Sequence, residues 1–451
     1  MKKYFNLIGA TLLFYCLNSV CAAAGLLSFP LSANQRGTVT CMEHPSISYD
    51  IYLPPAYSTN STPLPILYTF NANGGGMVPA FKSVCSALNI IVVGVTGPKN
   101  NAGWDIVLKE CYAVTRDIRC RVLFDPTAEF ATGMSGGGLV SYGYSRIRAQ
   151  HVAGIFSMSG WMGRYPNRYC SIDRVQTNLL VARSIGLSDS SSWPMSYDAS
   201  YLSQWDSVIN DLYFDGGHVV APDSVKTTAL SWLISTRTPA SLNERSTATQ
   251  QAQAWRLAIA AGQRETVVRE CVNILMSRPR SWYAHEAQLV MDDLMADYDS
   301  FSSLSFANLA QGDFASDYFY FYAFGAALNA DLTRYHSCLK ALTGISGTNG
   351  DRAGDLYDLL ERFAFPNPKL HGTSDPDQMC FWLIKDTPGL TYTLQSNANL
   401  LSNVWESATA TSEDDSTAWS ATCAVLPGAK SAFYRIGSIA EPATSSPWPE
   451  Q

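Results

Sequence analysis

The residues Gly133-Met134-Ser135-Gly136-Gly137 read as Gly-x-Ser-x-Gly. A serine at that spacing suits nucleophilic attack. It would stand at the apex of a sharp strand-to-helix turn, in a strained backbone conformation, with glycines on either side because neighbouring chain packs too close for side chains. In a chain with 31 glycines the pentapeptide alone also fits a glycine-rich turn, so its partners decide. A hydroxyl attacks only when a base takes its proton, and the base needs an acid that holds its tautomer and orientation.

Three of the six histidines, His44, His151 and His218, fall in the first half of the chain. His44 precedes the main run of strands. His151 opens the strand that follows the helix behind Ser135, which predicts a place at the opposite end of the sheet. His218 stands in Phe214-Asp215-Gly216-Gly217-His218-Val219-Val220, a glycine-bearing loop before a helix, and is the candidate base. No glutamate lies between Ser135 and His218, so an acid in that interval is one of Asp173, Asp189, Asp198, Asp206, Asp211 or Asp215. Asp189, in the loop after a strand ending at Ile185, is the choice and Asp198 the runner-up. Asp215 is too close in sequence to His218 and more naturally shapes its loop. An anionic tetrahedral intermediate also needs backbone N–H donors. Gly136 supplies one by position, and Gly75 or Gly76, in Asn73-Gly74-Gly75-Gly76-Met77, is favoured for the second; the same residues also allow a plain flexible turn. Met134 and Trp161 are candidates for the substrate pocket, Trp161 reading equally well as a buried structural side chain.

The elements that must position these residues alternate from Val39 to about Thr238. Strand-like runs at 46–53, 66–70, 90–95, 127–132, 152–159 and 178–185 are separated by helical stretches near 108–121, 138–146 and 225–234. That alternation predicts an α/β fold, a mostly parallel sheet with helices on both faces. Ligand sites in such sheets lie at the carboxyl ends of the strands, where the glycines and small polar residues collect.

Beyond Ser241 the pattern changes. Apolar residues return at helical spacing at Val267, Val268, Cys271, Ile274 and Leu275, then at Ala287, Val290, Met291, Leu294 and Tyr298. The aromatic run at 318–324 reads as core more readily than as a ligand groove. Pro366-Asn367-Pro368 and Gly372 to Pro376 look like a linker, followed by short strands near 381–385, 390–395, 405–407 and 432–436. The expected organisation is a leader at 1–24, a catalytic α/β domain at 25–240, an α-helical domain at 241–370, a small β-sandwich-like domain at 378–440 and a tail at 441–451.

The 451 residues exceed what one hydrophobic core usually serves. A net charge of −7 without clustered Lys or Arg argues against a nucleic-acid partner. Lys2-Lys3, an apolar stretch to about Val20 and Cys21-Ala22-Ala23-Ala24 read as a cleavable signal peptide with Gly25 as the mature start, predicting export to the periplasm or the medium. No later run predicts a membrane span. Nine cysteines follow the leader. None forms Cys-x-x-Cys or lies near paired histidines, so the chemistry asks for no metal and no cofactor. In an exported chain some should pair, and Cys111 with Cys120 and Cys380 with Cys423 are the expected bonds.

On the Gly-x-Ser-x-Gly pentapeptide, the order Ser135, Asp189, His218 and the glycine loop at 74–76, residues 40–238 resemble the α/β-hydrolase superfamily, nearest to secreted esterases and polyester depolymerases of the feruloyl-esterase type. The resemblance implies Ser135 as nucleophile, His218 as base and Asp189 as acid, acting on an ester that is polymeric, carbohydrate-linked or small. The sequence departs from the family where its usual His-Gly is replaced by Asn71-Ala72-Asn73. The alternatives are a serine peptidase on the same fold, and a non-catalytic binding protein that keeps the fold.

Overall fold

The computed structural model describes residues 26–60, 62–100, 104–162, 178–238 and 242–296, together with six strands between 378 and 440. The expected leader, the aromatic run at 318–324, the linker and the tail lie outside the described residues. The chain divides into two compact units, Met1–Gly354 and Asp355–Gln451.

The first unit is built on an eight-stranded sheet: β1 (Arg36–Thr40), β2 (Ser48–Tyr52), β3 (Leu64–Asn71), β4 (Ile91–Val95), β5 (Phe124–Met134), β6 (Val152–Met158), β7 (Leu180–Gly186) and β8 (Val208–Phe214). The spatial order is β1-β2-β4-β3-β5-β6-β7-β8. Strand β2 runs antiparallel to both of its neighbours, and every pairing from β4 to β8 is parallel. Between the strands lie α1 (Val78–Leu88), α2 (Trp104–Arg121), α3 (Gly136–Ile147), α4 (Ser192–Ser203) and α5 (Asp223–Thr236). Strands β4, β6 and β7 are buried along their whole length, as strands covered on both faces must be.

Side-chain alternation on β3 shows the layering. Leu67 joins Phe81 and Val84 of α1 and Leu230 and Leu233 of α5 in one core. Tyr68 and Phe70, pointing the other way, each bring their rings within 5.4 Å of Tyr144 on α3. Each fully buried large apolar side chain contributes roughly 1.5–3 kcal/mol. The expectation of an α/β sheet with helices on both faces holds for these residues.

Besides the edge strand β1, three elements before Ser241 escape the sequence pattern. Strand β8 carries Asn210 and Asp211 at its centre, where Asp211 receives Nε and Nη2 of the buried Arg183 on β7 at 2.6 and 2.7 Å. The serine-rich α4 has no apolar stripe, and α1 starts directly behind the glycine loop, with a proline in its first turn.

The predicted helical spacing at 267–275 and 287–294 falls on α7 (Arg264–Ser277) and α8 (Trp282–Ala296), which follow α6 (Leu242–Ala260), while Tyr298 lies outside the described residues. These helices dock at the amino end of the sheet. Gln288 on α8 meets His151 Nε2 at 2.9 Å, the Arg280 amide donates to the Gln150 carbonyl at 2.7 Å, and the His285 ring packs 5.3 Å from Phe124 at the start of β5. Arg116 on α2, buried, reaches Glu43 and Asp293 at 3.0 Å each and Asp292 at 3.5 Å.

The second unit contains β9 (Gln378–Ile384), β10 (Leu390–Asn397), β11 (Glu406–Ser407), β12 (Ala410–Asp414), β13 (Ala418–Ala424) and β14 (Phe433–Ala440). They form two antiparallel three-stranded sheets, β11-β10-β14 and β12-β13-β9.

The expected bond between Cys111 and Cys120 is not formed. Both lie on α2, nine residues apart, which is about 13.5 Å of rise and half a turn out of phase, whereas a disulfide needs Cα atoms within about 7 Å. Cys380 pairs across strands with Thr422, and Cys423 with Met379, so these two cysteines are out of step by one residue. Cys41, Cys85 and Cys271 are buried free thiols, and burial pushes each thiol upward.

Candidate active site

Strand β5 ends at Met134, Ser135 forms the turn and α3 begins at Gly136. Ser135 has φ 55° and ψ −121°, a region that costs a non-glycine residue about 1–3 kcal/mol and persists only where the surroundings enforce it. The surroundings here are close backbone contacts. A Cβ on Gly133 would come within 2.2 Å of the Gly137 carbonyl, and one on Gly137 within 2.3 Å of the Phe70 carbonyl on β3. The Ser135 amide is tied to the Met158 carbonyl of β6 at 2.8 Å. The pentapeptide is therefore a strand-to-helix elbow.

Asp189 and His218 come from the ends of β7 and β8. Parallel strands lie about 4.8 Å apart, so β8 is three spacings from β5 and its loop must fold back to approach the elbow. It does so over Gly186, at the tip of β7. The Leu187 amide donates to the Phe214 carbonyl at 3.0 Å and the Ser188 amide to that of Gly216 at 2.9 Å, while a Cβ on Gly186 would meet the Gly217 carbonyl oxygen at 2.5 Å. This brings His218 Nδ1 to 3.1 Å from Asp189 Oδ1 and 3.3 Å from Oδ2. The carboxylate is 1% exposed and the imidazole 29%. Among the described residues every hydrogen bond of His218 passes through Nδ1, so its Nε2 edge is open, with no bond to Ser135 Oγ in this state.

Sequence reasoning missed two serines around Asp189. The Ser191 amide donates to Asp189 Oδ1 at 2.8 Å, and its hydroxyl lies 3.1 Å from His218 Nδ1. Ser159, fully buried with φ 50°, brings its hydroxyl beside the same carboxylate without the alignment of a full hydrogen bond. Burial pushes the Asp189 carboxyl up, but Ser159, the Ser191 amide, His218 and the Ser191 hydroxyl outweigh it and hold the group below its ordinary value. Small serines carry no spacing signal of such a role.

The runner-up acid stands elsewhere. Asp198, on α4, accepts the Met162 amide at 2.5 Å and so anchors the segment after β6 that carries Trp161. Burial pushes its carboxyl up to about 6, against the Met162 amide and Arg183, which lower it. Trp161 is half-buried on that segment, and Met134 is partly buried against the core at the tip of β5. His151 sits buried at the amino end with Gln288, and the His44 ring packs 5.7 Å from Tyr112.

The glycine loop after β3 leans over β4. The Gly75 amide donates to the Thr96 carbonyl at 2.9 Å, and a Cβ on Gly76 would come within 2.4 Å of Gly94 Cα. Since β3 lies between β4 and β5, Gly75 and Gly76 stand on the side away from the elbow. The Gly136 amide, in the first turn of α3, has no intrahelical acceptor and lies at the positive end of the helix. Among the described residues no group of three or more His, Cys, Asp or Glu side chains is close enough to hold a metal ion.

No family model and no curated protein matches the sequence. Among solved structures the chain is similar to FphF, a fluorophosphonate-binding serine hydrolase of Staphylococcus aureus, at 15% identity and a TM-score of 0.35 over 45% of this chain and 99% of that one. A truncated carbohydrate esterase from gut microbiota is similar at 12% identity and 0.37, over 46% and 99% of the two chains. A ferulic acid esterase is similar at 14% and 0.35, over 44% and 96%. The residues from Arg36 to Thr236 carry an α/β fold, a mostly parallel eight-stranded sheet with a strand-to-helix elbow after β5.

Proposed function

We propose that this protein is an exported serine hydrolase that cleaves carboxylic esters through an acyl-enzyme. The observation that carries the reading is the buried Asp189 carboxylate on His218 Nδ1, at the same sheet edge as a serine held at φ 55°. Ser135 Oγ attacks the ester carbonyl while His218 Nε2 takes its proton, and the oxyanion is held by the Gly136 amide. The intermediate collapses as the alcohol leaves with the proton from His218. Water then adds to the acyl-enzyme, giving its proton to His218, and the acid departs as Ser135 recovers the proton. Asp189 keeps Nδ1 protonated and stabilises the imidazolium; Ser191 and Ser159 orient Asp189. The substrate class is an ester, polymeric or carbohydrate-linked, with Trp161 and Met134 at its pocket. Export is supported by the Lys2-Lys3 and apolar leader pattern, and an amino terminus at Gly25 on the mature protein checks it.

The test is a fluorophosphonate probe. Wild type should take up one adduct, carried on the peptide containing Ser135, and Ser135→Ala should take up none. Folded wild type that remains unlabelled would rule the reading out. Rates on p-nitrophenyl esters of rising chain length, beside feruloyl and acetyl-sugar esters, would then define the acyl group.

A further inference from the structure

Resting on Ser135 as the nucleophile, we propose that the side-chain amide of Asn100, in the loop after β4, is the second oxyanion donor. Four amides of the loop after β3 are already engaged. The Asn73 amide donates to Asn71 Oδ1, that of Gly74 to the Asn71 carbonyl, that of Gly75 to Thr96 and that of Met77 to Thr69 Oγ1, each at 2.9 Å. Gly76 faces Gly94 on β4. While the glycine loop leans away from the elbow, the loop after β4 crosses toward it. The Asn100 amide donates to the Ala72 carbonyl at 2.7 Å, which anchors the residue at the tip of β3 beside β5.

Its carboxamide then lies against the elbow. A Cβ built on Gly136 would stand 1.9 Å from Asn100 Oδ1 and 3.5 Å from Nδ2, which puts the carboxamide in contact with the Gly136 backbone. The Gly136 amide nitrogen is one bond, about 1.46 Å, from that Cα. Asn100 is exposed, and among the described residues its carboxamide makes no hydrogen bond that fixes its last torsion. The oxygen and nitrogen ends of a carboxamide exchange places in a half-turn. An oxyanion on the Gly136 amide draws the NH2 end inward, and the charge is shared between a helix N-terminal amide and a side-chain amide.

The experiment compares wild type, Asn100→Ala, Asn100→Asp and Ser135→Ala in fluorophosphonate labelling and p-nitrophenyl acetate turnover, with circular dichroism melts as the measure of folding. Removing one such donor costs about 10²–10³ in kcat. Asn100→Ala should lose that much with KM changed less than about threefold, because the donor acts on the transition state. Asn100→Asp, which keeps the shape and sets a carboxylate beside the developing oxyanion, should lose at least as much; it holds the proposal to account if the alanine disturbs the loop. If both variants keep kcat within about fivefold while Ser135→Ala is dead, or if the loss falls on KM, Asn100 is not the donor and the esterase reading stands. Wild type with no Ser135-dependent labelling or turnover would overturn both.

Discussion

At the residue scale the two aspartates considered for the acid differ in what surrounds them. Asp189 receives groups that favour its ionised form and touches His218 Nδ1, whereas Asp198 is buried with one amide and Arg183 and is pushed up to about 6. Asp189→Asn should lower kcat by about 10⁴, since the imidazole then loses the partner that fixes its tautomer; steady-state kinetics on a p-nitrophenyl ester reads this directly. Near-full activity in Asp189→Asn would move the acid elsewhere. For Asp198 the folded value lies above its ordinary 3.8, so the fold prefers the protonated form. The stability this gives is complete below about pH 4 and lost as the pH rises through about 6. Asp198→Asn keeps an acceptor for the Met162 amide and removes that loss. Denaturant melts across pH 4–8 should show a flatter profile than wild type, with the variant ahead by ~1–3 kcal/mol at pH 8 and kcat within a few-fold.

At the element scale, the sheet is held at its two ends by different means. The carboxyl end depends on close backbone approaches, and Gly186 is the one on which the His218 loop rests. Gly186→Val would drive a side chain into the Gly217 carbonyl, displacing His218 from Asp189. The expected outcome is a loss of at least 10²-fold in kcat/KM, since such misplacement of a reacting group by about 1 Å costs that much, with a fluorophosphonate labelling rate that falls in parallel. The amino end depends on charge, with α8 held to α2 through Arg116. Removing one partner of a buried ion pair leaves uncompensated charge and costs about 3–5 kcal/mol. Arg116→Ala should therefore lower the thermal midpoint by several degrees, while turnover well below that midpoint stays near wild type because Ser135 lies at the opposite end of the strands. Loss of activity in a folded Arg116→Ala protein would contradict this separation of stability from chemistry.

At the scale of the whole molecule, all of the proposed chemistry belongs to the first compact unit. The described helices after Ser241 brace the amino end of the sheet, and so stand away from the edge where a cover over the substrate would sit. The second unit, Asp355–Gln451, is made in its described residues of two small antiparallel sheets. A chain ending at Gly354 should fold and keep kcat/KM on a small soluble ester within about twofold. A drop beyond tenfold in a folded truncation would assign the second unit a part in the reaction.

Some of this was legible in residue order. The flanking glycines of Ser135, the absence of glutamate between Ser135 and His218, and the placing of His151 by the strand it opens are local or countable facts, and they were enough to single out Ser135, His218 and Asp189 as candidates, the last two of which lie in contact in the structure. The alternation of strands and helices was legible for the same reason, since burial on both faces writes itself into apolar runs. Strand β8 was not, because polar Asn210 and Asp211 interrupt its apolar run, and Asp211 is accommodated by Arg183 reaching across from β7. The glycine loop at 74–76 was recognised, but which strand it leans over depends on β3 standing between β4 and β5, and that order is set by long-range pairing. The same pairing places Asn100 against Gly136 and Ser191 against His218. Contacts between loops that are neighbours only at a sheet edge leave no period in the sequence. The glycine-flanked serine was readable from the chain alone; its surroundings were decided by the tertiary fold.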